Sequence, residues 1–228
     1  MTILLDAMGG DNAPDANIKG AVRASKEIES KIVLIGNEKI INERIKEIYG
    51  KDKISELGSN LEIYNTTEVI EMDEIPTIAI KQKKDSSMVV GFRLLKEEKG
   101  DVFISAGNSG ALLTGATLLI GRIKGIDRPA IAPMIPAHKK GFMLIDAGAN
   151  TNCKSLNLLQ FAMMGSIYMK NIYNIERPAI GLLNIGTEET KGNDLMKESY
   201  LLIKENMEKY DLNFIRKCRR KRSVFRSS

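Results

Sequence analysis

The stretch KIVLIG, residues 31–36, sets four branched aliphatic residues in a row with no polar residue between them. A strand with one wet face alternates apolar and polar side chains, whereas a strand covered on both faces reads as a continuous apolar run. KIVLIG is therefore read as an interior strand of a parallel sheet. TILLDA before it and DVFISAG after it have the same character. The segments between carry helical spacing: about Asp15 to Ser30, a charged helix from about Glu38 to Tyr49, and about Val89 to Glu98. LEIYNT adds a strand, followed by a loop carrying Pro76. The rhythm then runs through a helix from Ser109 to about Ile120, strands within AIAPMIP and GFMLIDAG, a helix from Ser155 to about Asn171, the strand AIGLLNIG, a helix from Asn193 to Tyr210, and a shortened last strand, DLNFI. This βαβα order predicts an α/β fold with an open, mostly parallel, doubly wound sheet. No internal repeat or linker divides the chain, and Lys99–Asp101 is the faintest of boundaries.

A chain of 228 residues with 43% apolar content has ample material for a buried core. Its formal charge of +5 would ordinarily point to anionic partners. That excess sits in the tail from Arg216 onward; residues 1–215 hold 27 Lys and Arg against 29 Asp and Glu. With no Trp and 5% aromatic residues, stacking platforms for nucleic acid are scarce, and no recognition-helix or zinc-finger pattern occurs, so nucleic acid is excluded as a partner. Cys153 and Cys218 give neither a disulfide framework nor a metal site, which fits a reducing cytoplasm. MTILLDAMGG lacks a basic leader and reads as a first strand. No run approaches the length of a membrane span.

In a parallel sheet of this kind the ligand site gathers at the carboxyl ends of the strands. Four loops after strands have a common composition, namely DAMGGDNAP (6–14), SAGNSGA (105–111), DAGAN (146–150) and NIGTEETKGN (184–193). Each joins glycine to small or amide side chains, as tight turns and helix caps do, and as loops that bring backbone close to an anion do. Four on one edge of one sheet favour the anion reading. The first is no dinucleotide fingerprint, since Pro14 stands where a third glycine belongs, and no Walker lysine motif is present. Gly107, Asn108, Ser109 and Gly110 form a turn whose N–H groups suit a phosphate or a developing oxyanion. Lys191 is either a point cation for phosphate or a solvated lysine. His138, the only histidine, precedes two lysines and reads as a solvated turn; Cys153 has no histidine near it in sequence to activate it. Ser87 reads as a helix cap, and Met163 and Met164 as core filling.

The segments ILLDAMGGDNAP, IEMDEIPTIAIKQKKDSSM, ISAGNSGALLTGA, RPAIAPMIP, LIDAGAN and RPAIGLLNIGTEETKGN, in that order, closely resemble the PlsX-type phosphate acyltransferases. Members of that family are longer, so residues 1–215 look like their amino-terminal two-thirds. The resemblance implies transfer of a long-chain fatty acyl group from acyl carrier protein to inorganic phosphate, for phospholipid synthesis. It also implies a fold related to isocitrate and isopropylmalate dehydrogenases and to phosphotransacetylases, no cofactor, no metal and a homodimer at full length. A cytoplasmic protein that touches the membrane periphery, or a downstream glycerol-3-phosphate acyltransferase, fits the same picture. The chemistry is compatible, because a thioester is already activated and phosphate attacks it without an enzyme nucleophile.

On this reading Lys191 orients phosphate, and Asn184 and Asn108 hydrogen-bond phosphate or the thioester oxygen. Gly9, Gly10, Asp11, Gly107, Ser109, Gly110, Asp146 and Asn150 line the same site. Asp6, Asp11 and Asp146 shape loops, since carboxylates repel phosphate. A dehydrogenase on the related fold is the rival enzyme, though it lacks its nicotinamide fingerprint. An inactive fragment, or a module that binds carrier protein or acyl phosphate, is the rival without catalysis.

The tail RKCRRKRSVFRSS departs from all of this. If Arg216–Arg222 is encoded AGG AAA TGT AGA AGG AAG AGA, followed by TCT, reading one base later gives Gly-Asn-Val-Glu-Gly-Arg-Asp, the segment with which the family continues. Residues 216–228 are therefore expected to be a frameshifted, non-native tail, a question resequencing of the locus decides. Loss of the rest of the sheet would expose apolar surface worth about 25 cal/mol per Å², so low stability and little activity are expected of this product.

Overall fold

The computed structural model describes residues 1–137, 141–185 and 192–219, the last four by backbone alone. The chain divides into two compact units, residues 1–121 and 122–228. The division does not fall at Lys99–Asp101, where the Asp101 carboxylate accepts from the Thr2 N–H and the chain runs straight into a strand.

The first unit is built on four parallel strands, β1 (Thr2–Asp6), β2 (Lys31–Gly36), β3 (Leu61–Asn65) and β4 (Val102–Ile104), in the order β3-β2-β1-β4. Around them lie α1 (Asp15–Ala24), α2 (Glu38–Tyr49), α3 (Pro76–Gln82), α4 (Ser87–Lys96) and α5 (Ser109–Gly115). The reading of KIVLIG holds residue by residue. Ile32 and Leu34 pack with Ile18 and Val22 of α1 and Ile41 and Ile45 of α2. Val33 and Ile35 face the other way, onto Val90 and Leu94 of α4. Successive side chains of a strand point to opposite faces, so an unbroken apolar run is what two helical layers require.

Several boundaries differ from the sequence reading for local reasons. Helix α1 stops at Ala24, and Asn60 Nδ2 donates to the carbonyls of Ser25, Ile28 and Ser30, which fixes the following segment as a turn. Pro76 is not in a loop; it starts α3, where its fixed φ and missing N–H cost nothing. The cap of α4 is Ser86, which accepts from the Val89 N–H, while Ser87 is buried inside the helix. The helix from Ser109 packs closely at Gly115, where a side chain would strike the Phe92 ring, and continues to Ile120 as a wider π-type turn.

The second unit holds β5 (Met134–Ile135), β6 (Phe142–Met143), α6 (Ser155–Tyr173), β7 (Ala179–Asn184), α7 (Asp194–Glu205) and β8 (Asn213–Arg219). AIAPMIP and GFMLIDAG form a short antiparallel pair, β5 with β6, not two members of a parallel sheet. β7 and β8 pair in parallel. The last strand is not cut short after Ile215, since its backbone continues to Arg219, with one unpaired extra residue at Ile215. Met163 packs at the edge of the core formed by Leu159, Leu182, Ile203, Leu212 and Phe214. His138 lies outside the described residues.

Because both faces of β2 are covered, Leu34→Ala and Ile35→Ala should each lower stability by about 2–5 kcal/mol in urea unfolding. A sheet with one wet face would show that loss for only one of the pair.

Candidate functional site

β1 delivers Asp6 to the carboxyl edge of the four-stranded sheet with 2% of its surface exposed. Its Oδ1 accepts from the N–H groups of Met8 and Gly9, at 3.1 and 3.0 Å. Its Oδ2 accepts from Ser105 Oγ at 2.7 Å, and Ser105 Oγ in turn accepts from the Gly107 N–H at 3.0 Å. One buried carboxylate thereby ties the loop after β1 to the loop after β4, across adjacent strands. Asn17, in the first turns of α1, donates through Nδ2 to the carbonyls of Asp6, Ala7 and Gly9 and holds the same loop from the other side.

The glycines permit this approach. A Cβ on Gly9 would lie 2.4 Å from Asp6 Oδ2 and 2.9 Å from the Gly107 nitrogen. Gly10 has φ +107° and lies against Ala106, where a side chain would be both strained and crowded. Gly9 is thus brought against Gly107 and Gly10 against Ala106, whereas Asp11 is exposed.

Asn108 caps α5: its Oδ1 accepts from the Ala111 N–H, and its Nδ2 donates to the carbonyls of Glu71, Met72 and Glu74. The side chain expected to touch substrate is occupied in holding the 71–74 turn against the start of α5. What the turn offers a ligand is backbone: the first N–H groups of a helix, here at Ser109 and Gly110, have no acceptor within it. The 71–74 turn is itself clamped by Glu74, which accepts from the Glu71 N–H and pairs with Lys83. These partners hold the Glu74 carboxyl below the usual carboxylate range, the Glu71 N–H contributing most.

The other two loops belong to the second unit, so the four loops do not share one edge of one sheet. Asp146 accepts from the N–H groups of Ile131, Ala149 and Asn150 and from Asn150 Nδ2, which also donates to the Pro129 carbonyl. Asp146 and Asn150 therefore fasten their loop to residues 129–131 with their own polar atoms. Asn184 is buried at the end of β7, where Gly192, at φ +104°, comes so close that a Cβ would lie 2.6 Å from Asn184 Oδ1. Lys191, the expected cation, lies outside the described residues. Cys153 is half-buried with its sulfur against the Asn150 carbonyl, and Arg44, near the first loop, is held by a two-point pair with Asp15.

Sequence reasoning missed Ser105 and Asn17. Ser105 stands inside ISAGNSGALLTGA, and its position directly after a strand, beside a strand ending in aspartate, is the signal that could have found it.

A parallel sheet with helices on both faces and two interlocked glycine loops at its carboxyl edge defines an open α/β fold, and the solved structures agree. The phosphotransacetylase of Streptococcus pyogenes superposes with a TM-score of 0.67 at 15% identity, covering 96% of this chain and 68% of that one. The EutD phosphotransacetylase of Staphylococcus aureus gives 0.66 at 16% identity, covering 99% and 69%. In sequence, residues 1–215 match the family model described as "Fatty acid synthesis protein", and the chain belongs to that family. It is 51% identical over 216 residues to the phosphate acyltransferase of Acetivibrio thermocellus and 48% identical to that of Clostridioides difficile, in each case over 94% of this chain. It spans 61% of the length of both relatives.

Protonating Glu74 should loosen the clamp on Asn108. Its folded pKa is depressed, so the stabilisation is complete above the ordinary carboxylate pKa and is lost as pH falls through the lower folded value. Amide exchange at Ala111, measured down a pH series, should accelerate in that acidic window beyond its intrinsic pH trend. In Glu74→Gln the extra acceleration should be absent.

Proposed function

We propose that the protein to which this chain corresponds transfers a long-chain acyl group from acyl carrier protein to inorganic phosphate. The observation that carries the reading is the junction of the β1 and β4 loops, where the Asp6–Ser105–Gly107 chain presses two glycine turns together beside the unpaired first-turn N–H groups of α5. Such a backbone cradle suits phosphate or a developing oxyanion. Family membership supports the reaction class.

In the reaction a phosphate oxygen attacks the thioester carbonyl carbon, the carbonyl oxygen becomes an oxyanion, and the C–S bond breaks. The carrier leaves as thiolate, with acyl phosphate as the other product. No nucleophile on the enzyme is needed, so positioning and N–H donation are the demands on the protein. Gly107, Ser109 and Gly110 would donate to anionic oxygens; of the second unit's residues, Lys191 would neutralise phosphate and Asn184 would serve as a hydrogen-bonding group. Asn108, Asp146 and Asn150 act by holding loops. The whole protein would work as a cytoplasmic homodimer that meets the membrane periphery or a downstream glycerol-3-phosphate acyltransferase.

Residues 216–228 we infer to be read out of frame. The family match ends at residue 215, and the register of β8 against β7 slips at that same residue. The inferred consequence is a product of low activity, which makes the frame-restored gene the informative one to assay.

Purified frame-restored protein should consume acyl carrier protein thioester only when phosphate is present and give no spectral response to NAD(P). Lys191→Met should abolish that turnover with the fold intact, and wild-type turnover in the variant would remove Lys191 from the mechanism. Carrier binding without turnover would favour a binding module.

A further inference from the structure

The loop after β1 has two arms that are held in different ways. Its inner arm, residues 6–9, is fastened by the Asp6 carboxylate and by the Asn17 amide. Its outer arm, residues 11–16, runs into α1 and is open to solvent: Asp11, Asn12 and Ala16 are exposed. Beneath it, Asn12–Ala16 together with Lys19 and Arg44 line a cavity of about 630 Å³. The arm's own bonds are short turns, from the Ala13 N–H to the Gly10 carbonyl and from the Ala16 N–H to the Asn12 carbonyl. Helix α1 then starts at Asp15 without a side-chain cap, since Pro14 stands at the cap position.

A side chain from another helix reaches this arm. Arg44 of α2 donates through Nε to Asp15 Oδ1 and through Nη2 to Asp15 Oδ2, each at 2.7 Å, across 29 residues of sequence. Its Nη1 donates to Glu47. The guanidinium beside Asp15 holds that carboxyl below the usual carboxylate range, with Lys19 adding to the effect. Two carboxylates thus offset the charge of Arg44, which makes it a poor direct lure for phosphate. What the two-point contact supplies is geometry, because a planar fork on a carboxylate fixes direction as well as distance. The pair is partly exposed, at 37% and 34% of the two side chains, so its contribution to global stability is small. Its effect is local.

We propose that Arg44 is a positioning residue for phosphate, acting through Asp15 to hold the outer arm so that Gly9 and Gly10 stay against Gly107 and Ala106. The inference rests on the proposed reading of that junction as the phosphate cradle. Where the arm is free to leave this arrangement, phosphate binds only the molecules that retain it, and its apparent affinity falls by that fraction. By reciprocity, bound phosphate holds the arm. A direct contact between Arg44 and phosphate makes the opposite demand on Asp15, since removing that carboxylate would free the guanidinium charge for the anion.

The test titrates inorganic phosphate by calorimetry into the frame-restored protein and its Arg44→Gln, Asp15→Asn and doubly substituted variants. Each single change should weaken phosphate binding about threefold or more, and the double change should weaken it no further, as expected of two residues that act as one unit. Amide exchange at Ala13 and Ala16 should quicken in all three variants and slow again on adding phosphate, with β2 unchanged. In turnover, KM for phosphate should rise more than kcat falls. Tighter phosphate binding by Asp15→Asn overturns the proposal, as do losses that add in the double variant, faster exchange with unchanged affinity, or no phosphate binding by the parent. Absence of turnover beside the expected binding and exchange would count against the proposed reaction and leave the role of Arg44 supported.

Discussion

The first unit is organised around the burial of one carboxylate. Asp6 leaves β1 almost fully enclosed, and a charge in that position persists only if donors surround it. The donors are two N–H groups of its own loop and the Ser105 hydroxyl from the neighbouring strand. Satisfying Asp6 therefore folds the β1 loop back on itself and draws the β4 loop onto it, and only glycine at position 9 leaves room for both. The cradle follows from solving a desolvation problem.

Much of this is readable in the amino-acid order. Unbroken runs such as KIVLIG announce a strand with helices on both sides, and the structure distributes Ile32 and Leu34 to one layer and Val33 and Ile35 to the other. The helix from Glu38 to Tyr49 lies where its spacing places it, between the Asn37 cap and a left-handed Gly50. The glycine loops after β1 and β4 stand out in sequence by their shared composition. What is not readable is how polar side chains divide between ligand and backbone. Asn108 has the look of a substrate contact, yet its amide is spent on the 71–74 turn, and Asp146 and Asn150 are spent on residues 129–131. Asn and Asp serve turns and ligands with the same atoms, and only the fold reveals which partner arrived first. Ser105 escapes a sequence reading because its importance depends on Asp6, 99 residues away.

The second unit shows the limit of the same reasoning. AIGLLNIG has the composition of a strand buried on both faces, but Leu183 is 53% exposed and one edge of β7 opens onto a cavity. Composition records the environment for which a strand is suited, and here that environment is only partly supplied by the described residues. The short antiparallel β5–β6 pair departs from the expected parallel sheet in the same neighbourhood.

We propose that the Asp6–Ser105 bond builds an anion cradle at the sheet edge. Its most direct measurement is phosphate binding to the chain and to Ser105→Ala by isothermal titration calorimetry, with circular dichroism confirming that both remain folded. Phosphate should bind the chain, and affinity should fall about tenfold or more in Ser105→Ala, the scale of one lost hydrogen bond to a charged group. Equal affinity in the two folded proteins would contradict it.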